Sequence, residues 1–176
     1  MRLDHIAYRC QSRAEATKFF YETLGYSISP DLPEGFDVQF EDGTYAKCLV
    51  LEPPENDSTS QARVITGMFS SEFHSAPEIF VSDGSSNSIV QEWVDKHGPG
   101  IHHLAYEVDS VEETMEEWKL RGIQFTTDKP LSCPGLVQAF TTPNPATGII
   151  YEVIERDKQG FCNENVKDLM ESTNGY

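Results

Sequence analysis

No run of apolar residues in the chain approaches the roughly eighteen that a membrane span requires, so no span is expected. Basic residues are scarce. Thirteen Lys and Arg stand against twenty-nine Asp and Glu, a formal net charge of −16. Phosphate backbones and anionic lipid surfaces are held by clusters of Lys and Arg. The charge balance therefore makes nucleic acid and anionic membrane surfaces poor candidates as partners, and otherwise speaks to solubility. Cysteine is thin as well: Cys10, Cys48, Cys133 and Cys162 form no C-x-x-C pair and no zinc-ribbon spacing. That excludes a disulfide framework and points to the reducing cytoplasm. The stretch MRLDHIAYRC has strand character from its start, without the basic and apolar regions of a secretory signal, and none is expected. Disorder is excluded too, because 38% hydrophobic and 11% aromatic residues over 176 positions suffice for a core.

What the chain does contain is a repeat. LDHIAYRCQSRAEATKFFYETLG, residues 3–25, lies over IHHLAYEVDSVEETMEEWKLRG, residues 101–122. His5 falls on His103, Ala7 on Ala105, Tyr8 on Tyr106, Ser12 on Ser110 and Glu15 on Glu113, all at one offset of 98 (103 − 5). Gly25 and Gly122 close the two copies after a one-residue gap. Each copy reads as a strand followed by a helix. Ser12 and Ser110, each with Glu three positions on, carry the capping-box signature of a helix start. Apolar residues then recur at helical spacing, and a glycine stands where a helix would end.

Shorter β-like runs follow each helix: YSISP, FDVQFEDGTYAKCLVLE, ARVITGM and PEIFVSD in the first copy, IQFTT, LVQAFTTP and GIIYEVIE in the second. The first copy thus carries an insertion, residues 30–62, with PPENDSTSQ as its exposed loop. SNSIVQEWVDKHG reads as a connecting helix, and ENVKDLMEST as a short helix in a polar tail. The expected fold is α+β: two βαβββ modules enclosing a site between their concave faces. Residues 1–98 form the first module with its insertion and connecting helix, 99–157 the second, and 158–176 a C-terminal tail helix, all within one compact domain.

The repeat selects the candidate ligands. His102 and His103 are adjacent in a strand, and neighbouring strand side chains point to opposite faces. Only His103 has a repeat partner in His5, so His103 is expected to face the cavity and His102 the helix side or solvent. Glu152 stands between Ile149, Ile150, Tyr151, Val153 and Ile154, where a carboxylate is costly unless paired or bound to a metal. Two histidines and one carboxylate from separate strands describe the facial triad of a non-haem Fe(II) oxygenase. Glu155 reads as a solvated strand-end charge, and His74 and His97 as loop residues.

LDHIA, GIHHLAYEV and IIYEVIE resemble the ligand-bearing strands of the vicinal-oxygen-chelate superfamily, over nearly the whole chain. Within it, SNSIVQEWVDKHGPGIHHLAY, PGLVQAFTTPNPATGIIYEVIER and QGFCNENVKDLMES resemble the catalytic half of the 4-hydroxyphenylpyruvate dioxygenases. That resemblance implies Fe(II) on His5, His103 and Glu152, Gln138 and Phe140 lining the substrate pocket, and Phe161, Asn165 and Val166 in a lid. Two departures stand out: only one half of such an enzyme is present, and Val166 replaces an aromatic residue. GPGIHHLAYEVDSV is also similar to the methylmalonyl-CoA epimerases, which use a fourth protein ligand. Glu78 in PEIFVSD falls near that place, with Phe80 and Ser82 on its face; if TYAKCLVLEP is the equivalent strand, Leu49 occupies the position and no fourth ligand exists.

The first resemblance implies a dioxygenase acting on a 2-oxo acid. The second implies an epimerase or lyase working through an enolate on an acyl-CoA or similar substrate, with Co, Mn, Ni or Zn in place of iron. A metal-free binding or resistance protein is a third reading, disfavoured by the carboxylate of Glu152. Superfamily members often pair, so a homodimer is expected.

Overall fold

The computed structural model describes residues 1–54, 76–157 and 161–176. ARVITGM, His74 and most of the PPENDSTSQ loop lie outside the described residues. The described residues form nine strands: β1 (Arg2–Arg9), β2 (Ser27–Ile28), β3 (Phe36–Gln39), β4 (Tyr45–Glu52), β5 (Glu78–Gly84), β6 (Gly100–Glu107), β7 (Leu131–Cys133), β8 (Leu136–Phe140) and β9 (Ile150–Arg156). The helices are α1 (Arg13–Leu24), α2 (Ile89–His97), α3 (Val111–Leu120) and α4 (Asn163–Ser172).

The helix starts follow from local chemistry. Ser12, Ser88 and Ser110 each turn a hydroxyl oxygen onto the backbone N–H three residues on, at 3.2–3.3 Å, satisfying a donor the first turn would otherwise leave unpaired. Gly25 ends α1 in the left-handed region, at φ +76. Two strand expectations need correction. FDVQFEDGTYAKCLVLE is not one run but the hairpin β3–β4, broken where Asp42 accepts from both the backbone N–H and the hydroxyl of Thr44. IQFTT forms no strand and contributes a single bridge, Phe125 to Thr141.

All the strands join one mixed sheet in the order β2-β4-β5-β1-β6-β9-β8-β7, with β3 also paired to β4. The order is mirrored about the central antiparallel pair β1–β6: β1 pairs in parallel with β5, and β6 in parallel with β9. The sheet does not close into a barrel, yet α4 packs on β3 near one end and on β7 near the other. The sheet is therefore bent around an interior, with α4 across the opening.

Strand alternation sorts the residues. Ile79, Val81, Leu49 and Leu51 face outward under α1 with Phe20 and Tyr26, and Val153 and Ala139 face outward under α3 with Val111 and Met115. Ala7, Cys48, Val50 and Phe80 face inward against Val166 and Met170 of α4. Gly35, just before β3, is held at φ +69, and a Cβ there would lie 2.1 Å from the Cys48 carbonyl oxygen. Gly35→Ala is expected to destabilise the fold by at least about 1–3 kcal/mol, read from urea unfolding, because strain and a backbone clash coincide.

Candidate metal centre

His5, His103 and Glu152 come from β1, β6 and β9, the three central strands, and their ligand-type atoms lie within 4.8 Å of one another. Glu152 Oε2 lies 3.3 Å from His5 Nε2 and 3.1 Å from His103 Nε2. Adjacent positions around an octahedral ion with bonds of about 2.1 Å are about 3.0 Å apart, so these spacings suit one face of such an ion. All three residues are buried. Burial works against charge on His5, but hydrogen bonds to Asp4 and Glu152 raise it to about 9. Burial likewise opposes the Glu152 carboxylate, which the two histidines bring below its ordinary value. Without a metal the second His5 proton faces Glu152, and a divalent cation would displace it.

The strand parity argument for the histidines fails, and a bulge is the reason. Ala7 pairs with His103 but Tyr8 pairs with Ile101, leaving His102 as an extra residue in β6. Leu3 pairs with Tyr106 but His5 with Ala105, leaving Asp4 as an extra residue in β1. Bulges break the alternation and re-aim side chains. His102 therefore does not turn away: it is buried, lines the same cavity as His103 and meets it Nδ1 to Nδ1 at 2.8 Å. Asp4 Oδ1 meets His5 Nδ1 at the same 2.8 Å. Asp4 and His102 are repeat partners, at the offset that relates His5 to His103.

Each of the two candidate histidines therefore has its Nδ1 held by the preceding residue, which leaves its Nε2 for Glu152 or a metal. Burial, Arg9 and His103 keep His102 well below the ordinary histidine range, hence neutral and able to accept the His103 Nδ1 proton. Its own proton then sits on Nε2, a buried atom without a partner among the described residues. Asp4 also accepts from Arg156 Nε at 3.2 Å. Burial alone would raise the Asp4 carboxyl, but His5 and Arg156 bring it below its ordinary value.

Glu78 is not part of this group. Its carboxylate pairs with Arg156 Nη2 at 2.7 Å, in a groove beside the cavity. Strand register explains why. The β6–β9 pairing sets Ala105 opposite Glu152, and the β1–β5 pairing sets its repeat partner Ala7 opposite Phe80. Phe80, an apolar residue, occupies the position that mirrors Glu152, while Glu78 mirrors Ile150. Leu49 faces outward and does not occupy it either.

The other expected residues are placed as follows. Gln138 is 1% exposed and lines the cavity with neither amide atom hydrogen-bonded among the described residues. Phe140 lies against the His103 ring at 4.6 Å between centroids. Ser82 borders the cavity but donates its hydroxyl to the Tyr8 carbonyl at 3.3 Å. Phe161 stands on His5 and Phe80, at 5.2 and 5.3 Å. Val166 joins the wall with Leu169 and Met170, whereas Asn165 is buried outside it. Glu155 is half-buried rather than solvated, and accepts from the Val111 N–H at the start of α3. His97 ends α2, stacked on Trp93 and bonded to the Tyr176 carbonyl, away from the site. Asp4 and Arg9 escaped the sequence reading; for Asp4 a signal existed, since the repeat pairs it with His102.

A sequence profile of the glyoxalase/bleomycin resistance protein/dioxygenase superfamily matches residues 4–132. The chain belongs to that superfamily. No curated protein matches it in sequence. Among solved structures, a hypothetical protein of Bacillus halodurans C-125 is 26% identical, over 92% of this chain and 98% of that one, with a TM-score of 0.62. A methylmalonyl-CoA epimerase is 24% identical, over 90% and 97%, also at 0.62. A variant of 4-hydroxymandelate synthase from Streptomyces coelicolor is 17% identical and reaches 0.72, over 98% of this chain and 53% of that one. Members of the superfamily typically bind a divalent metal. Among the described residues, no helix of this superfamily member is long and apolar enough to cross a membrane.

Proposed function

We propose that the protein is a non-haem Fe(II) dioxygenase acting on a 2-oxo acid, with His5, His103 and Glu152 as the metal ligands. The observation that carries the reading is the ligand count. Phe80 fills the one position from which the fold's symmetry would supply a fourth protein ligand. Three ligands on one face leave three positions, two for a bidentate acid and one for a second small molecule, as dioxygen chemistry needs. Iron(II) held there supplies Lewis acidity toward the acid and electrons toward dioxygen.

The chain's own residues do the rest. Asp4 and His102 fix the rotation of the two imidazoles. Phe140 packs on His103, and Phe80 and Phe161 on His5, so water is kept from the reacting groups. Gln138, with its amide unspent, orients the bound acid by hydrogen bonding. The cavity holds only about 40 Å³, far below the roughly 300 Å³ at which ligand pockets begin. Phe161 and the Val166 face of α4, which line it, are the groups that would lift to admit a substrate.

The test is oxygen uptake by anaerobically Fe(II)-loaded protein, challenged with aryl and aliphatic 2-oxo acids. Acid-dependent uptake is the expected result. No uptake with any acid, from protein shown to hold its metal, would end the dioxygenase reading and favour enolate chemistry.

A further inference from the structure

Arg9 lies on the inward face of β1, four residues beyond His5, and borders the cavity with His102 and Gln138. It is 3% exposed, and no carboxylate forms an ion pair with it among the described residues. Among the described residues its guanidinium donates only two long hydrogen bonds, to the Ile89 carbonyl and the Thr173 hydroxyl, both at 3.5 Å. The Trp93 ring lies 5.7 Å away. A guanidinium has five N–H donors and a full charge, so most of its capacity here is unspent. Burial pushes it down to about 9, which still leaves a cation at neutral pH. The nearby polar groups are also without partners: His102 Nε2 and the Gln138 amide. A buried charge is costly unless an opposite charge meets it. Nothing described in the chain does so; a bound anion would.

We propose that Arg9 seats a second carboxylate of the substrate, which makes that substrate a dicarboxylic 2-oxo acid rather than an arylpyruvate. The proposal rests on the 2-oxo-acid reading above. The planar guanidinium matches a carboxylate in bidentate fashion, and the Trp93 ring face favours the cation.

The test uses the full chain loaded with Zn(II), which binds without turnover. Four- to six-carbon 2-oxo diacids are titrated calorimetrically, each against the monoacid of the same chain length. At least one diacid is expected to bind roughly ten- to a hundredfold tighter than its monoacid, as a charged hydrogen-bonded pair provides. Arg9→Met should bring the two within about threefold, and Arg9→Lys should fall between, a point charge replacing the fork. Arg9→Met should also raise the melting temperature of the ligand-free protein by a few degrees, because an uncompensated buried charge is removed. Equal binding of every diacid and monoacid by the wild type would overturn the proposal alone. So would an Arg9→Met variant that melts lower and binds both acids equally less well, the mark of a residue that merely pins α4. No binding of any acid to metal-loaded protein would overturn the 2-oxo-acid reading, and this proposal with it.

Discussion

Glu152→Ala should reduce the bound metal from about one ion per chain to background, measured by elemental analysis after dialysis. The carboxylate is 2% exposed and supplies the only negative charge among the three groups, with one oxygen within 3.3 Å of both imidazoles. Its loss leaves two neutral ligands and an open third position. The effect should exceed the 10- to 100-fold that loss of an outer-shell partner typically costs. Acid-dependent oxygen uptake should vanish with the metal. Glu155→Ala is the matched control: it sits on the same strand but spends its carboxylate on the α3 N-terminus, and should keep the ion. Full metal content in Glu152→Ala would remove the centre proposed here.

The second large effect is expected at Asp4. Asp4→Ala should weaken metal binding about 10- to 100-fold, as loss of the partner that orients a ligating histidine does. It should also cost about 3–5 kcal/mol of stability, because one member of a buried charged set is removed while the others remain. His5 Nδ1 loses its acceptor, and the Arg156 Nε–H loses its carboxylate at 3.2 Å. Urea unfolding of the metal-free protein reads the second effect, and metal titration the first. A variant as stable as the wild type would show that the Asp4–Arg156 contact contributes nothing net. Asp4→Asn should be milder in both, since it keeps the shape and one acceptor.

Features that depend on residues near one another in the chain were legible before any coordinates. Ser12 and Ser110 cap their helices by reaching the N–H three residues on, a contact set by local spacing alone. The offset relating His5 to His103, and the isolated carboxylate of Glu152 in an apolar run, single out the three side chains that the fold brings within 4.8 Å of one another. The β3–β4 hairpin carries its turn in Glu41-Asp42-Gly43-Thr44, although its two strands read as one run.

What failed was the assumption of unbroken alternation. A period of two holds along a strand only while its pairing is regular, and pairing is a property of two strands far apart in sequence. The bulges at Asp4 and His102 form because β1 and β6 slip against each other by one residue at each site. That slip puts His102 beside His103 and Asp4 beside His5. Register likewise kept Glu78 out of the cluster: the parallel pairing of β5 on β1 sets Phe80, not Glu78, opposite Ala7. Arg9 reads in sequence as one more strand residue, and only the packing of α2 and α4 around it leaves its charge uncompensated. The sequence by itself therefore determined the repeat, the helix limits and the three converging side chains, because each rests on local spacing or on a cost paid by one residue. The tertiary structure alone decided which partners orient those side chains, that Glu78 stays out of their cluster and which cation lies buried beside them, because each depends on which distant strands and helices meet.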